Sequence, residues 1–271
     1  MIFDSKAYSA ERKEEPNNGA DRVSDLGLRN LVGMERLLRA LTGIRVHVNT
    51  GDSIEEEDLM EFRLLYQGEL LPSGNKKKRP TEKHLIRRAF HPQLRRLWKV
   101  KPLLRELADR RGFLRSPEFY HDSNVVRTPE ERFEIGIRAI GRESSRAGFD
   151  LVPLVVKEFE LQCALDVLLL RPEEDKFIFT QGDIDGQVKT LLDALRMPDD
   201  TGETGNASPE ADERPLFCLL ENDRLISEIK VTADQLLMLP HQKEVKANDC
   251  FVVIHVRLNH RDARTFDNYF G

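Results

Sequence analysis

Gly182-Asp183-Ile184-Asp185-Gly186-Gln187-Val188-Lys189-Thr190-Leu191-Leu192-Asp193-Ala194-Leu195 is the stretch from which the rest of the chain is best read. Val188, Leu191, Leu192 and Leu195 recur at i, i+3, i+4 and i+7, which predicts an amphipathic helix. The two acids at its start flank one apolar residue where an extended segment enters that helix. In extended chain, residues i and i+2 point to the same side, so the spacing predicts that Asp183 and Asp185 converge on one ion. The positive end of the helix dipole offsets part of their repulsion. Lys189 and Asp193 follow Asp185 at i+4 and i+8, on the face nearest the acids. A hard cation such as Mg²⁺ needs only one or two carboxylates, with water and phosphate oxygens completing its shell.

Outward from this stretch the chain is rich in strand. Phe159, Leu161, Cys163, Leu165, Val167 and Leu169 alternate upstream of it, and Leu225 to Val231 and Phe251 to Leu258 supply strands downstream. Phe62, Leu64 and Tyr66 alternate near residue 60 and end in the turn Pro72-Ser73-Gly74-Asn75. A helical stretch runs through Leu94, Leu97, Trp98, Leu104 and Leu107 with an interruption at Pro102. Thr128-Pro129-Glu130-Glu131 is a helix start, with threonine as N-cap, proline in the first turn and acids beside the dipole. The expected class is α+β, a mixed or antiparallel sheet with helices packed on one face.

Residues 1–59 read as an N-terminal extension, disordered at first and then a short helix carrying Leu28, Leu31 and Leu38. The core spans 60–260, with a flexible Gly- and acid-rich insertion at 199–214 and a C-terminal tail at 261–271. The apolar runs are too short to cross a membrane, so no membrane partner is expected. Cys163, Cys218 and Cys250 fit neither a disulfide framework nor a zinc site, and suit a cytoplasmic protein.

The net charge of −5 hides a polarised chain. Fifteen Lys and Arg lie between Lys76 and Arg115 against Glu82, Glu106 and Asp109 alone, which predicts a phosphate-binding surface that does not read bases. Leu219-Leu220-Glu221-Asn222-Asp223-Arg224 is a second acidic site at the mouth of a strand.

At these two acidic stretches the sequence resembles the RusA family of Holliday-junction resolvases. Asp183-Ile184-Asp185-Gly186 stands where the family has Asp-Leu-Asp-Asn, with Lys189 at its lysine and Asp193-Ala194-Leu195 as the continuation. Asn222-Asp223 with Ile226 matches its second motif, and Leu71-Pro72-Ser73-Gly74-Asn75 its first turn. The departures are Gly186 in place of asparagine, longer connections, and an N-terminal extension without counterpart. The resemblance implies a RusA-like core in which Asp183, Asp185 and Asp223 hold Mg²⁺, with Mn²⁺ as a substitute. Lys189 completes the catalytic set as the residue that stabilises charge or orients water. It also implies a homodimer that cuts branched DNA in recombination or repair, with Lys76, Lys77, Lys78, Arg79, Lys83, Arg87 and Arg88 contacting the backbone.

Two other readings compete. One is an inactive nucleic-acid-binding or assembly protein of the same fold, with the N-terminal extension as a protein-docking segment. Asp-x-Asp-Gly also resembles the motif of haloacid-dehalogenase phosphatases, but that motif should end a buried apolar strand, and Thr180-Gln181-Gly182 precede it here.

Overall fold

The computed structural model describes residues 60–71, 79–115, 127–159, 161–172, 181–237 and 249–260. Chain contacts divide the protein into two units, Met1–Arg36 and Leu37–Gly271, and every described residue belongs to the second. The expected N-terminal helix, the turn at 72–75, Lys76 to Lys78 and the tail all lie outside the described residues.

The class is α+β. Strands β1 (Glu61–Glu69), β3 (Leu161–Arg171), β5 (Ile226–Gln235) and β6 (Asp249–His260) form a mixed sheet in the order β1-β6-β3-β5. β6 is antiparallel to β1 and β3, whereas β3 and β5 run parallel. Alternation works here as period-2 patterning requires: Leu64, Leu165, Val167, Ile254 and Val256 turn inward and are buried. They join Ile86, Phe90, Leu94 and Leu191 in one core beneath the helices α1 (Arg79–Val100), α2 (Pro102–Arg115), α3 (Pro129–Glu143) and α4 (Gln181–Leu195). Among the described residues no helix is long and apolar enough to cross a membrane.

Two strands escape the alternation rule. β2 (Leu151–Val155) and β4 (Leu216–Leu220) form a separate parallel pair, and all ten of their residues are buried. Strands covered on both faces show continuous apolar runs, so period 2 cannot reveal them, and Pro153 argues against a strand. Phe159, expected in β3, lies in a single 3₁₀ turn before it.

Helix α1 begins at Arg79, well before the apolar stripe that announces it, and carries Pro92 inside. Helix α3 starts as its sequence dictates. Thr128 Oγ1 accepts from the Glu131 N–H at 3.2 Å, and Glu131 Oε2 accepts from the Thr128 N–H at 2.7 Å, a complete capping box. Gly136 lets α3 approach α2 closely, since a Cβ there would fall 1.8 Å from the Ala108 carbonyl oxygen.

Candidate functional site

Helix α4 starts at Gln181, so Asp183 and Asp185 both stand inside its first turns and not on an extended approach. This corrects the extended approach that the sequence predicted. At about 100° per residue, positions two apart in a helix lie roughly 200° apart around its axis, facing different sides. Position 183 shares a face with Gln187 and Thr190. That face is packed: Gln187 Nε2 donates to the Leu70 carbonyl at 2.8 Å, and Thr190 Oγ1 to the Leu71 carbonyl at 3.5 Å. Asp185 shares the opposite side with Lys189 and Asp193. Asp185 and Lys189 are exposed and form no ion pair among the described residues, while Asp193 binds Lys83 at 2.6 Å and Arg79 at 3.4 Å. The Asp183 side chain lies outside what is described.

Asp223 opens a 3₁₀ turn, Asp223–Leu225, that leads straight into β5. The turn forms because Asn222 caps it, its side-chain oxygen accepting from the Arg224 N–H at 3.1 Å. Asp223 is exposed and free of ion pairs among the described residues. Glu221 has a structural task, since its Oε2 accepts from the Lys157 N–H at 2.8 Å and ties β4 to the chain leaving β2.

The two acidic motifs sit at opposite ends of β3. Ile226 pairs with Cys163 at the start of that strand, so Asp223 lies there. Arg171 closes the strand, and its guanidinium donates to Gln187 Oε1 at 3.2 Å, which places the start of α4 at the other end. Cys163 and Arg171 are eight residues apart, about 26 Å of extended chain. Helix α4 spans the interval, and its exit at Arg196 bridges to Leu220. One Mg²⁺, with ligands at roughly 2.1 Å, cannot be held by Asp185 and Asp223 of a single chain. Among the described residues no three acidic, histidine or cysteine side chains form a metal cluster.

The basic run also meets a different fate. Arg87, expected on DNA, is 1% exposed. Its guanidinium donates to the carbonyls of Asp193 at 2.8 Å, Glu203 at 3.1 Å and Arg196 at 3.2 Å. Lys83 and Arg79 serve Asp193, and Arg88 makes a bidentate pair with Glu210 at 2.7 Å and reaches Glu213 at 3.0 Å. Farther along, Arg95 and Lys99 pair with Glu134, and Lys99 and Arg105 with Glu130. Most cations of α1 that looked unopposed along the sequence are met by a carboxylate or carbonyl distant in the chain.

The segment 199–214, expected to be flexible, is built onto α1 as a strap. It contains two 3₁₀ turns, Thr201–Thr204 and Ala211–Glu213. Arg196 holds Glu203 at 2.7 Å and Asp199 at 3.0 Å. Gly205 takes φ +66 against Thr81, where a Cβ would fall 2.7 Å from Thr81 Oγ1. Glu213 is buried, 3.6 Å from His84. His91 joins the strap to the core. Its Nδ1 accepts from the Phe217 N–H at 3.0 Å, leaving Nε2 to donate to the Asp212 carbonyl at 2.9 Å. Burial, above all, lowers the pKa of both His84 and His91.

No protein-family model, curated protein or solved structure matches this chain.

Proposed function

We propose that the protein is a metal-dependent, structure-selective DNA endonuclease with a RusA-like core, acting on Holliday junctions or related branched DNA. The observation that supports this best is the condition of three charged groups. Asp185, Lys189 and Asp223 are exposed and unpaired among the described residues, in a molecule whose basic helix is almost wholly tied up in internal pairs. Charges that no protein group neutralises are open to an incoming ligand. They also occupy the motif positions through which the sequence resembles the resolvases.

Asp185 and Lys189 stand one helical turn apart on the same face, a carboxylate and an ammonium beside a common point. That pair suits a phosphodiester, with the carboxylate to hold a hard cation and the ammonium to meet the charge that develops on phosphate. Mg²⁺ supplies such sites with an acidified water and a polarised phosphoryl oxygen. Backbone contact belongs to the cations left over: Arg96 is exposed on α1 with no partner among the described residues.

A second reading is a binding protein that keeps the fold without the chemistry, since no metal cluster forms among the described residues. Incubation with a labelled four-way junction, a linear duplex and a single strand, in Mg²⁺ or in EDTA, separates the two. The nuclease reading predicts metal-dependent nicks on the junction. Tight junction binding with no cut in Mg²⁺ or Mn²⁺ would leave the binding protein.

A further inference from the structure

We infer that residues 261–270, which follow β6, fold back over the open face of the sheet and cover its apolar patch with Phe266, Tyr269 and Phe270. The inference stands apart from the nuclease reading and concerns the side of the sheet opposite the helices.

Alternation gives one side of each strand to the core, and the register shows what the other side carries. Leu65 faces Val253, and Val253 faces Leu168, so the three form a row across β1, β6 and β3. Phe251 faces Leu170 in the next row. None of these five belongs to either apolar core or to the residues packed against one, whereas Leu64, Leu165, Val167, Ile254 and Val256 on the other side join the helices. Leu65 is 47% exposed and the other four are half-buried. A contiguous apolar patch across three neighbouring strands marks a surface that something covers.

Toward the C-terminal end of β6 the same face turns polar. Glu61 pairs with His255 at 2.9 Å, Asp166 with Lys230 at 3.1 Å and Glu228 with Arg257 at 3.7 Å. From His260 inward, the face therefore presents charged rows and then apolar rows. The chain that leaves His260 carries the same order: Arg261-Asp262-Ala263-Arg264-Thr265 comes first, and Phe266, Tyr269 and Phe270 follow. Folded back, it lays polar residues on the charged rows and aromatic ones on the apolar rows.

Reach agrees with order. Val253 and Phe251 stand seven and nine residues before the end of β6 at His260, about 23 and 30 Å of strand. Tyr269 and Phe270 stand nine and ten residues beyond that end, about 30 and 33 Å of extended chain, so both can return to these rows. Phe266, within about 20 Å, reaches the border between the charged and apolar rows. The segment before β1 arrives at the same end, where the Leu258 N–H binds the Met60 carbonyl at 3.1 Å. It would set Glu55-Glu56-Glu57-Asp58 against charges that already balance, so it fits less well. A tethered segment also meets its patch at an effective concentration no free partner of the cell easily matches.

Photo-crosslinking of the full-length protein tests the contact. With p-benzoylphenylalanine in place of Tyr269, irradiation should give an adduct within one chain, mapped by peptide mass to the strands that carry Leu65, Val253 or Leu168. Leu65→Glu changes a side chain that is already exposed, so the variant should fold as wild type and cut the adduct by roughly tenfold. Leu85→Glu, at an exposed position on α1 across the sheet, should leave the yield as it was. An adduct that joins two chains would give the patch to a second copy and overturn the inference. An adduct elsewhere in the chain, no adduct, or a yield indifferent to Leu65→Glu would overturn it too. None of these results touches the nuclease reading, which the junction assay decides separately.

Discussion

Helix α1 and the two acidic motifs hold charge to opposite ends. On α1 the guanidinium of Arg87 is sealed in the core, Arg88 clasps the strap, and Arg95 and Lys99 bind α3. At α4 and at the start of β5, Asp185, Lys189 and Asp223 face solvent without partners among the described residues. Charge of the first kind organises the fold: it anchors the 199–214 strap and fixes where α3 lies. Charge of the second kind adds little to stability, because exposed ions that make no pair contribute almost nothing. Abundance of charge along a sequence therefore says less about function than the number of charges left unpaired once the chain has folded.

The contrast breaks if the two sets respond alike to mutation, and the largest test is catalytic. Lys189→Met should lower junction cleavage by about 100-fold or more, with a stability change within ~0.5 kcal/mol. Single-turnover rates and urea unfolding measure the two quantities on one preparation. Arg87→Met should do the reverse. Its loss leaves three buried carbonyls without a donor, and roughly 3 kcal/mol of stability should go. The midpoint in urea reports it, and a variant as stable as wild type would refute the structural role.

A smaller effect is expected at the strap. Arg88→Ala removes the Glu210 pair and the contact to buried Glu213, and should cost about 1–2 kcal/mol. Deleting the whole strap would strip Arg87 and His91 of acceptors, so the deletion should unfold the protein.

The acid limb of stability gives the finest comparison. Burial holds the folded pKa of His84 and His91 below the unfolded value near 6.5. In that case the unfolded chain binds protons more readily, so the stability from each imidazole is full above about pH 6.5 and is lost as pH falls below it. His91→Gln keeps an acceptor for the Phe217 N–H and a donor for the Asp212 carbonyl while removing the titration. Its stability should fall less steeply between about pH 6.5 and 5 than that of wild type.

Much of the scaffold was legible because its elements are half-buried. β1, β3, β5 and β6 alternate, the Thr128 capping box announces α3, and the apolar period of residues 188–195 announces α4. β2 and β4 were not legible, since strands buried on both faces leave no period to read. The start of α4 was misplaced because Gly182 and Gly186 disguise its first turn. The partners of the basic run were invisible for another reason. Ion pairs such as Arg88–Glu210 join residues more than a hundred positions apart, and one sequence carries no trace of which distant acid meets which base. The candidate site residues stood out by motif, whereas their separation along β3 emerged only from strand register.

The most direct test of the unpaired charges is the Asp223→Asn variant on a labelled four-way junction in Mg²⁺, beside wild type, with unfolding of both followed in urea. A site that needs this acid predicts cleavage reduced to the level seen in EDTA at unchanged stability. Cleavage at the wild-type rate would contradict it and remove Asp223 from the chemistry.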